Sequence, residues 1–448
     1  MKIKAREKVM IMKKNNKQVI DLLIDSIRDL ESLENYYLVS NNAILDEIEK
    51  EQKENEYAMK CQAFFEEIWA CKTQEEREAK KDEINERLFY KNKKFKDIYT
   101  ITSISGKTIE YLVPQNIQNV ESFFPDDAVP LLRSFRRMLS ISSSSILSNE
   151  IALFERFLSR LYNHLITKKP TIYFCNQTIS VQELLKTEKN TLIENEINKL
   201  VEKDMYDSIQ VIRKIEEKEN IALDNYEKIV KAFSEIYYRR NLFIHNDGIV
   251  NEIYLSKIEI KHNVKVGDKL NCGNEYIENS IATIQKLIFY LCFSIIAKQE
   301  SKLNGDAVNV IQDFFYDMLS DEKYLFLESV YKFLSKSKQF TIDVRKSFYV
   351  NYLITLKETD KKDDLKKLVS KFLIKPNDYI YVVAKHLLLS ENQEAFKIID
   401  EHFLDDDFIT ANEIRKWPLF KEFRQSEYYK ELSDKYPKEF ETLSLEEE

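Results

Sequence analysis

Apolar residues recur at three- and four-residue spacing through most of this chain, the mark of amphipathic helices. The stripe Tyr226, Ile229, Val230, Phe233, Ile236, Tyr237 and Ile244 predicts a helix over 222–246. Gly248 supplies its C-terminal cap, so His245 falls in the last turn. Similar patterns predict helices over 131–167, 190–219 and 275–301. Residues 17–95 read as long helices, with Leu22, Leu23, Ile27 and Leu30 on one face and a second run around Phe64, Phe65, Ile68 and Trp69. The period changes to two in two places. Ile98 to Ile104 and Thr108 to Val113 alternate around Ser105-Gly106-Lys107, as a two-stranded ribbon does. Ile258, Ile260, Val264 and Val266, with turn signals at Gly267-Asp268 and Gly273, predict a second β-hairpin after the histidine.

Beyond residue 305 the chain is a succession of shorter helical stripes. Leu325, Leu327, Val330, Phe333 and Leu334 form one, and Val344, Phe348, Tyr352 and Leu356 another. Ala384, Leu387 and Leu388 are answered across a turn by Ala395, Ile398 and Ile399. Paired helices with small residues at the crossing resemble tetratricopeptide-type repeats, although no fixed period emerges. Trp417-Pro418-Leu419-Phe420 with Phe423 is expected to close this stack. Pro114, Pro125 and Pro130 punctuate a connecting segment. Three regions are therefore expected: an N-terminal helical region with a hairpin (1–125), a central helical domain (126–303) and a C-terminal helical-repeat domain (304–448). The fold class is mainly α, a helical bundle with small β-hairpin insertions and an α-solenoid-like end.

Composition narrows the class further. Five Gly and seven Pro in 448 residues, with 44% hydrophobic and 32% charged residues, fit an ordered helical protein. A formal net charge of −8 argues against nonspecific coating of nucleic acid, so any RNA contact must be local. Candidate basic patches are Arg133, Arg136 and Arg137, the pair Lys168 and Lys169, and Arg239 with Arg240. The lysine-rich start (Lys2, Lys4, Arg6, Lys8, Lys13, Lys14, Lys17) reads as a solvated terminus. Cys61, Cys71, Cys175, Cys272 and Cys292 are scattered, with no zinc-like spacing, which points to a reducing cytoplasm. No apolar run follows the basic start, no segment approaches an uninterrupted membrane span, and no Walker-type loop occurs. The expectation is a cytoplasmic protein with no membrane association, no metal and no cofactor.

The sharpest chemistry lies at Arg240-Asn241-Leu242-Phe243-Ile244-His245, followed by Asn246-Asp247-Gly248. A guanidinium within an apolar stripe needs an anion or acceptor, and the imidazole sits nearby. Together they suit metal-independent phosphodiester cleavage. Arginine holds the phosphate and stabilises growing charge, and an imidazole near neutral pKa moves a proton of the ribose 2′-hydroxyl or the leaving oxygen. Positions five apart on a helix diverge by roughly 140°. One helix thus carries half a site, and two symmetry-related copies complete it. Each residue also has a plainer reading. Arg240 also suits a structural ion pair, with Glu155 a candidate partner; His245 also suits the helix dipole; Asn241 either orients the imidazole or bonds solvent.

The Arg-polar-x3-His arrangement resembles the signature of the HEPN superfamily. The run 142–158 (SSSSILSNEIALFERFL) resembles the first helix of its RiboL-PSP branch, and 245–255 (HNDGIVNEIYL) resembles the stretch after the histidine in that branch. The resemblance covers roughly residues 130–300. It implies a homodimeric endoribonuclease in bacterial stress or anti-phage defence, cleaving RNA, tRNA included. Arg240, His245 and Asn241 would be catalytic, and Arg239 and Asn246 would bind substrate. The C-terminal helices would bind a regulatory protein or phage-derived trigger. The alternative is an inactive HEPN-like scaffold that recruits a partner through those helices.

Overall fold

The computed structural model describes residues 2–54, 67, 70–71, 73–91, 100–105, 108–112, 128–174, 188–221, 226–258, 264–375, 377–405 and 408–441. The fold is mainly α. The described elements are α1 (Lys2–Glu54), α2 (Gln74–Lys91), β1 (Thr100–Ser105), β2 (Thr108–Leu112), α3 (Ala128–Lys168), α4 (Pro170–Tyr173), α5 (Lys189–Asp204), α6 (Ser208–Glu219) and α7 (Tyr226–Asn246). Next come α8 (Glu252–Lys257), α9 (Asn274–Gln299), α10 (Gly305–Ser320), α11 (Tyr324–Leu334), α12 (Ile342–Glu358) and α13 (Lys362–Ser370). The chain ends with α14 (Tyr379–Leu388), α15 (Asn392–His402), α16 (Ala411–Lys416), two 3-10 turns (Pro418–Phe420, Phe423–Gln425), α17 (Glu427–Lys435) and α18 (Pro437–Glu441).

Two compact units emerge, one of residues 33–146 and one of 1–32 with 147–448. In the first, β1 and β2 pair antiparallel from Thr100↔Leu112 to Ser105↔Thr108, with an irregularity between Ile101 and Ser103. Thr73 and Glu76 form reciprocal side-chain-to-backbone bonds at 3.2 Å that start α2. Within the same unit the Tyr37 and Ser143 hydroxyls share a buried hydrogen bond of 3.1 Å. The expected run around Phe64, Phe65, Ile68 and Trp69 lies outside the described residues.

The larger unit is organised by α3 and α9. Leu147, Ile151, Phe154, Leu158, Leu161 and Leu165 are buried, and their alternating four- and three-residue spacing gives α3 a continuous seam. Phe154 meets Phe233 of α7 with ring centroids 4.4 Å apart. Helix α9 is apolar nearly all round, so it must be enclosed, and it packs on α7 and on α11. Buried Glu150 of α3 accepts from Ser280 Oγ of α9 at 2.5 Å. Sequence reading expects no segment of membrane-span length, but Asn274–Gln299 has the length and a hydropathy of 1.7. Of its most apolar window, 83% is buried inside the protein.

The C-terminal helices pack as a chain of neighbours, α11 on α12, α12 on α13 and α14, α14 on α15, and α15 on α17. Phe289 and Phe293 of α9 join Phe315, Phe326 and Phe333 of α10 and α11 in one aromatic cluster with centroids 5.5–6.5 Å apart for the inter-helix pairs. The boundary expected near 303 therefore falls inside one compact unit. Pro418, Leu419, Phe420 and Phe423 are buried, and Trp417 Nε1 donates to Asn351 Oδ1 at 3.0 Å, closing the end of the stack.

One expectation needs correction. The helix over 190–219 is two helices, because Asp207 Oδ1 accepts from the backbone N–H groups of Ile209 and Gln210 and starts α6 afresh. Of the second ribbon expected over 258–266, residues 259–263 lie outside the described residues. Asn251 caps the short helix α8 by accepting from Tyr254 N at 2.9 Å. A single antiparallel bridge joins Ile249 and Lys269.

Candidate functional site

Helix α7 positions the sequence-predicted residues. Val230, Phe233 and Ile236 are buried as the stripe predicts, but in the last turn Leu242 is buried and Ile244 is 49% exposed. The reason is a small satellite core of Val250, Tyr254, Ile258 and Leu270, which receives Leu242. Ile244, about 200° further round, faces away.

The helix ends at a turn that needs glycine twice over. Asp247 and Gly248 have φ of 49° and 75°, and a Cβ on Gly248 would lie 2.9 Å from the Phe243 ring. Gly248 N–H donates to the Leu242 carbonyl at 3.1 Å. Leu270 N–H donates to the Gly248 carbonyl and Val250 N–H to that of Asp268, each at 2.9 Å, so the turn is stitched to 267–270. His245 is thereby presented from a fixed end. It is exposed, and among the described residues no hydrogen bond or ion pair involves it.

Adjacent arginines meet opposite surroundings because consecutive positions turn by about 100°. Arg239 is buried. Its Nε donates to Glu235 Oε1 at 2.7 Å, its Nη1 to the Asn271 carbonyl at 3.0 Å, and its guanidinium stacks 4.0 Å from the Tyr276 ring. Glu235 also accepts from the Tyr254 and Tyr276 hydroxyls at 2.6 and 2.8 Å. Burial, followed by the Glu235 charge, pushes both phenols above their ordinary range. Arg239, expected to bind substrate, is buried with its Nε and Nη1 engaged within the protein.

Arg240 is held more loosely. Nη1 donates to Asn241 Oδ1 at 3.2 Å, Nη2 to Glu155 Oε1 at 3.4 Å, and the Tyr237 ring lies 5.5 Å away. Its Nε is enclosed, with no hydrogen-bond partner among the described residues. Its side chain is 18% exposed. Glu155 Oε1 is shared with Ser208 Oγ at 3.3 Å, which leaves it a weak sole counter-charge. Asn241, expected either to orient His245 or to bond solvent, turns its carbonyl oxygen to Arg240. Asn246, expected at the substrate, donates to the Ile249 carbonyl at 2.6 Å and so supports the turn.

Tyr237 and Asn241, which flank the Arg240 guanidinium, also line a cleft of about 800 Å³ between the end of α5, α6 and α7. Lys203, Lys214 and Arg213 stand on its other wall beside Asp204, Asp207 and Glu217. Lys214 pairs with Asp204 at 2.5 Å, and Arg213 grips Glu227 with two bonds of 2.8 and 2.9 Å. Neither Arg240 nor His245 lines this cleft. Of the other basic patches, Lys169 pairs with Glu219 and Arg137 is exposed. The side chains of Arg133 and Arg136, and those of the basic N-terminal run through Lys14, lie outside the described residues.

Sequence reasoning missed the Glu235–Tyr254–Tyr276 set around Arg239. The four-residue spacing of Glu235 and Arg239 was the legible signal, and the tyrosines reach it only through tertiary packing. Comparison with family models, curated proteins and solved structures finds no match to this chain.

Proposed function

We propose that this protein is a metal-independent endoribonuclease whose site is completed at a homodimer interface by Arg240 and His245 of both copies. The observation that carries the reading is the contrast along α7. Arg239 has its Nε and Nη1 bonded at 2.7 and 3.0 Å, whereas among the described residues Arg240 keeps a buried Nε without acceptor and contacts of 3.2 and 3.4 Å. Such a guanidinium gains charge-assisted bonds on meeting a phosphate. One imidazole takes the proton of the ribose 2′-hydroxyl as its oxygen attacks phosphorus. The partner's imidazole protonates the 5′-oxygen as the P–O5′ bond breaks. Asn241 positions the Arg240 guanidinium. The resemblance extends this to bacterial stress or anti-phage defence, with RNA such as tRNA as substrate and the C-terminal helices receiving a regulatory or phage-derived partner.

The test uses the full chain with a mixed RNA pool in excess chelator. Cleavage should leave 2′,3′-cyclic phosphate and 5′-hydroxyl ends, and a scissile 2′-deoxyribose should block it. Arg240→Ala and His245→Ala should each abolish cleavage, Asn241→Ala should weaken it less, and light scattering should give a dimer. Cleavage of the deoxy substrate, or activity that requires added magnesium, would overturn the mechanism. The second reading, an inactive scaffold, is favoured by one contact, the 3.4 Å ion pair with Glu155. RNase activity lost in His245→Ala decides against it.

A further inference from the structure

A second cleft, of about 620 Å³, lies where the start of α7 and the middle of α9 meet α11 and the turns after α11 and α12. Its lining carries Lys228, Lys286, Lys332, Lys336 and Lys361 against one carboxylate, Glu328. Lys361 pairs with Glu328 at 2.6 Å. Among the described residues the other four ammonium groups have no ion-pair partner, although the protein as a whole is acidic with a net charge of −8. Unpaired like charges along one concave surface concentrate positive potential there. The most enclosed of the four, Lys286, has its pKa lowered by burial and further by Lys361, with Glu328 opposing. Beside the lysines stand two aromatic rings, Tyr290 and Phe333, packed edge to face with centroids 5.5 Å apart.

We infer that this cleft binds a small ligand carrying several phosphate groups. Its volume falls in the range of small-molecule sites rather than of a track along a nucleic acid. A polyphosphate would neutralise the unpaired charges of Lys228, Lys286, Lys332 and Lys336, and a ring attached to it would meet the Tyr290–Phe333 pair. The inference stands apart from the ribonuclease reading, since neither Arg240 nor His245 lines the cleft. Its location ties α7 and α9 to the C-terminal helices, so the ligand would bridge them.

The test is calorimetric titration of the full chain with tripolyphosphate, ATP and orthophosphate at two salt concentrations. Tripolyphosphate and ATP should bind one per chain, more weakly as salt rises, and orthophosphate should bind more weakly than either. Lys286→Gln, and separately the exposed pair Lys332→Gln with Lys336→Gln, should each weaken binding by about tenfold or more. The exposed pair keeps the test valid if Lys286→Gln fails to fold. ATP binding more tightly than tripolyphosphate assigns a nucleoside-bearing ligand to the aromatic pair, and equal affinity assigns an inorganic phosphate chain. No saturable binding, binding unchanged in the variants, or binding confined to a single-stranded RNA probe would overturn the inference, whatever the outcome of the RNA cleavage assay.

Discussion

Arg239 and Arg240 carry the same charge yet should respond differently to loss. Arg239→Ala strands the buried Glu235 with only the two phenols, and breaking a buried pair in this way costs about 3–5 kcal/mol. Arg240→Ala removes a part-exposed, long ion pair worth at most about 1 kcal/mol. Urea unfolding of the two variants should separate them by that margin, with RNase activity lost in Arg240→Ala while the fold persists. Equal destabilisation would mark Arg240 as structural too. His164 offers a pH test. Its Nε2 is enclosed without a partner among the described residues, and burial, then Lys168, lowers its pKa while Glu219 opposes. With the folded pKa below an unfolded value near 6.5, the unfolded chain binds more protons in that window. Stability is then present above about pH 6.5 and is lost as pH falls towards the folded pKa. His164→Gln should flatten that part of the curve, read as a smaller change in urea midpoint between neutral and mildly acid buffer.

Elements here are set by their ends as much as by their stripes. The break before α6 exists because Asp207 satisfies two orphan N–H groups, so Asp207→Ala should cost about 0.5–2 kcal/mol. The end of α7 depends on Gly248, where a methyl would meet the Phe243 ring at a backbone φ of 75°. Gly248→Ala should cost about 1–3 kcal/mol, seen in thermal or urea unfolding. It should also lower any activity that depends on His245, since the imidazole is aimed from this turn. An unchanged unfolding midpoint would show that the turn relaxes freely.

For the molecule as a whole, α9 decides what can be separated. One side of it packs on α7, and its Phe289 and Phe293 sit among Phe315, Phe326 and Phe333 beyond residue 303. Truncation after 303 would uncover those rings, and large aromatic side chains contribute about 3–5 kcal/mol each when lost from a core. The truncated chain should aggregate, or bind a hydrophobic dye and lose its cooperative unfolding. A soluble fragment with native-like cooperative unfolding would instead establish the central and C-terminal regions as separate domains.

Periodicity made much of the helical fold legible, because the seam of α3, the stripe of Val230, Phe233 and Ile236, and the paired C-terminal helices depend on local spacing that the chain carries in its own order. The glycine stop at 248 was legible for the same reason, since backbone handedness is a local property. The sequence also marked Arg240, Asn241 and His245 as neighbours on one helix. Which arginine would be sealed into the core was not legible. That depends on Tyr254 and Tyr276, brought to Glu235 from later helices. The ion pair between Arg240 and Glu155 across 85 positions likewise exists only after α3 and α7 pack. The cleft's five lysines are spread between 228 and 361, and no two of them are adjacent in sequence. Local order thus determined the helices and their ends; the tertiary structure decided which charges are neutralised and which remain to meet a ligand, because electrostatic pairing depends on distance in space rather than along the chain.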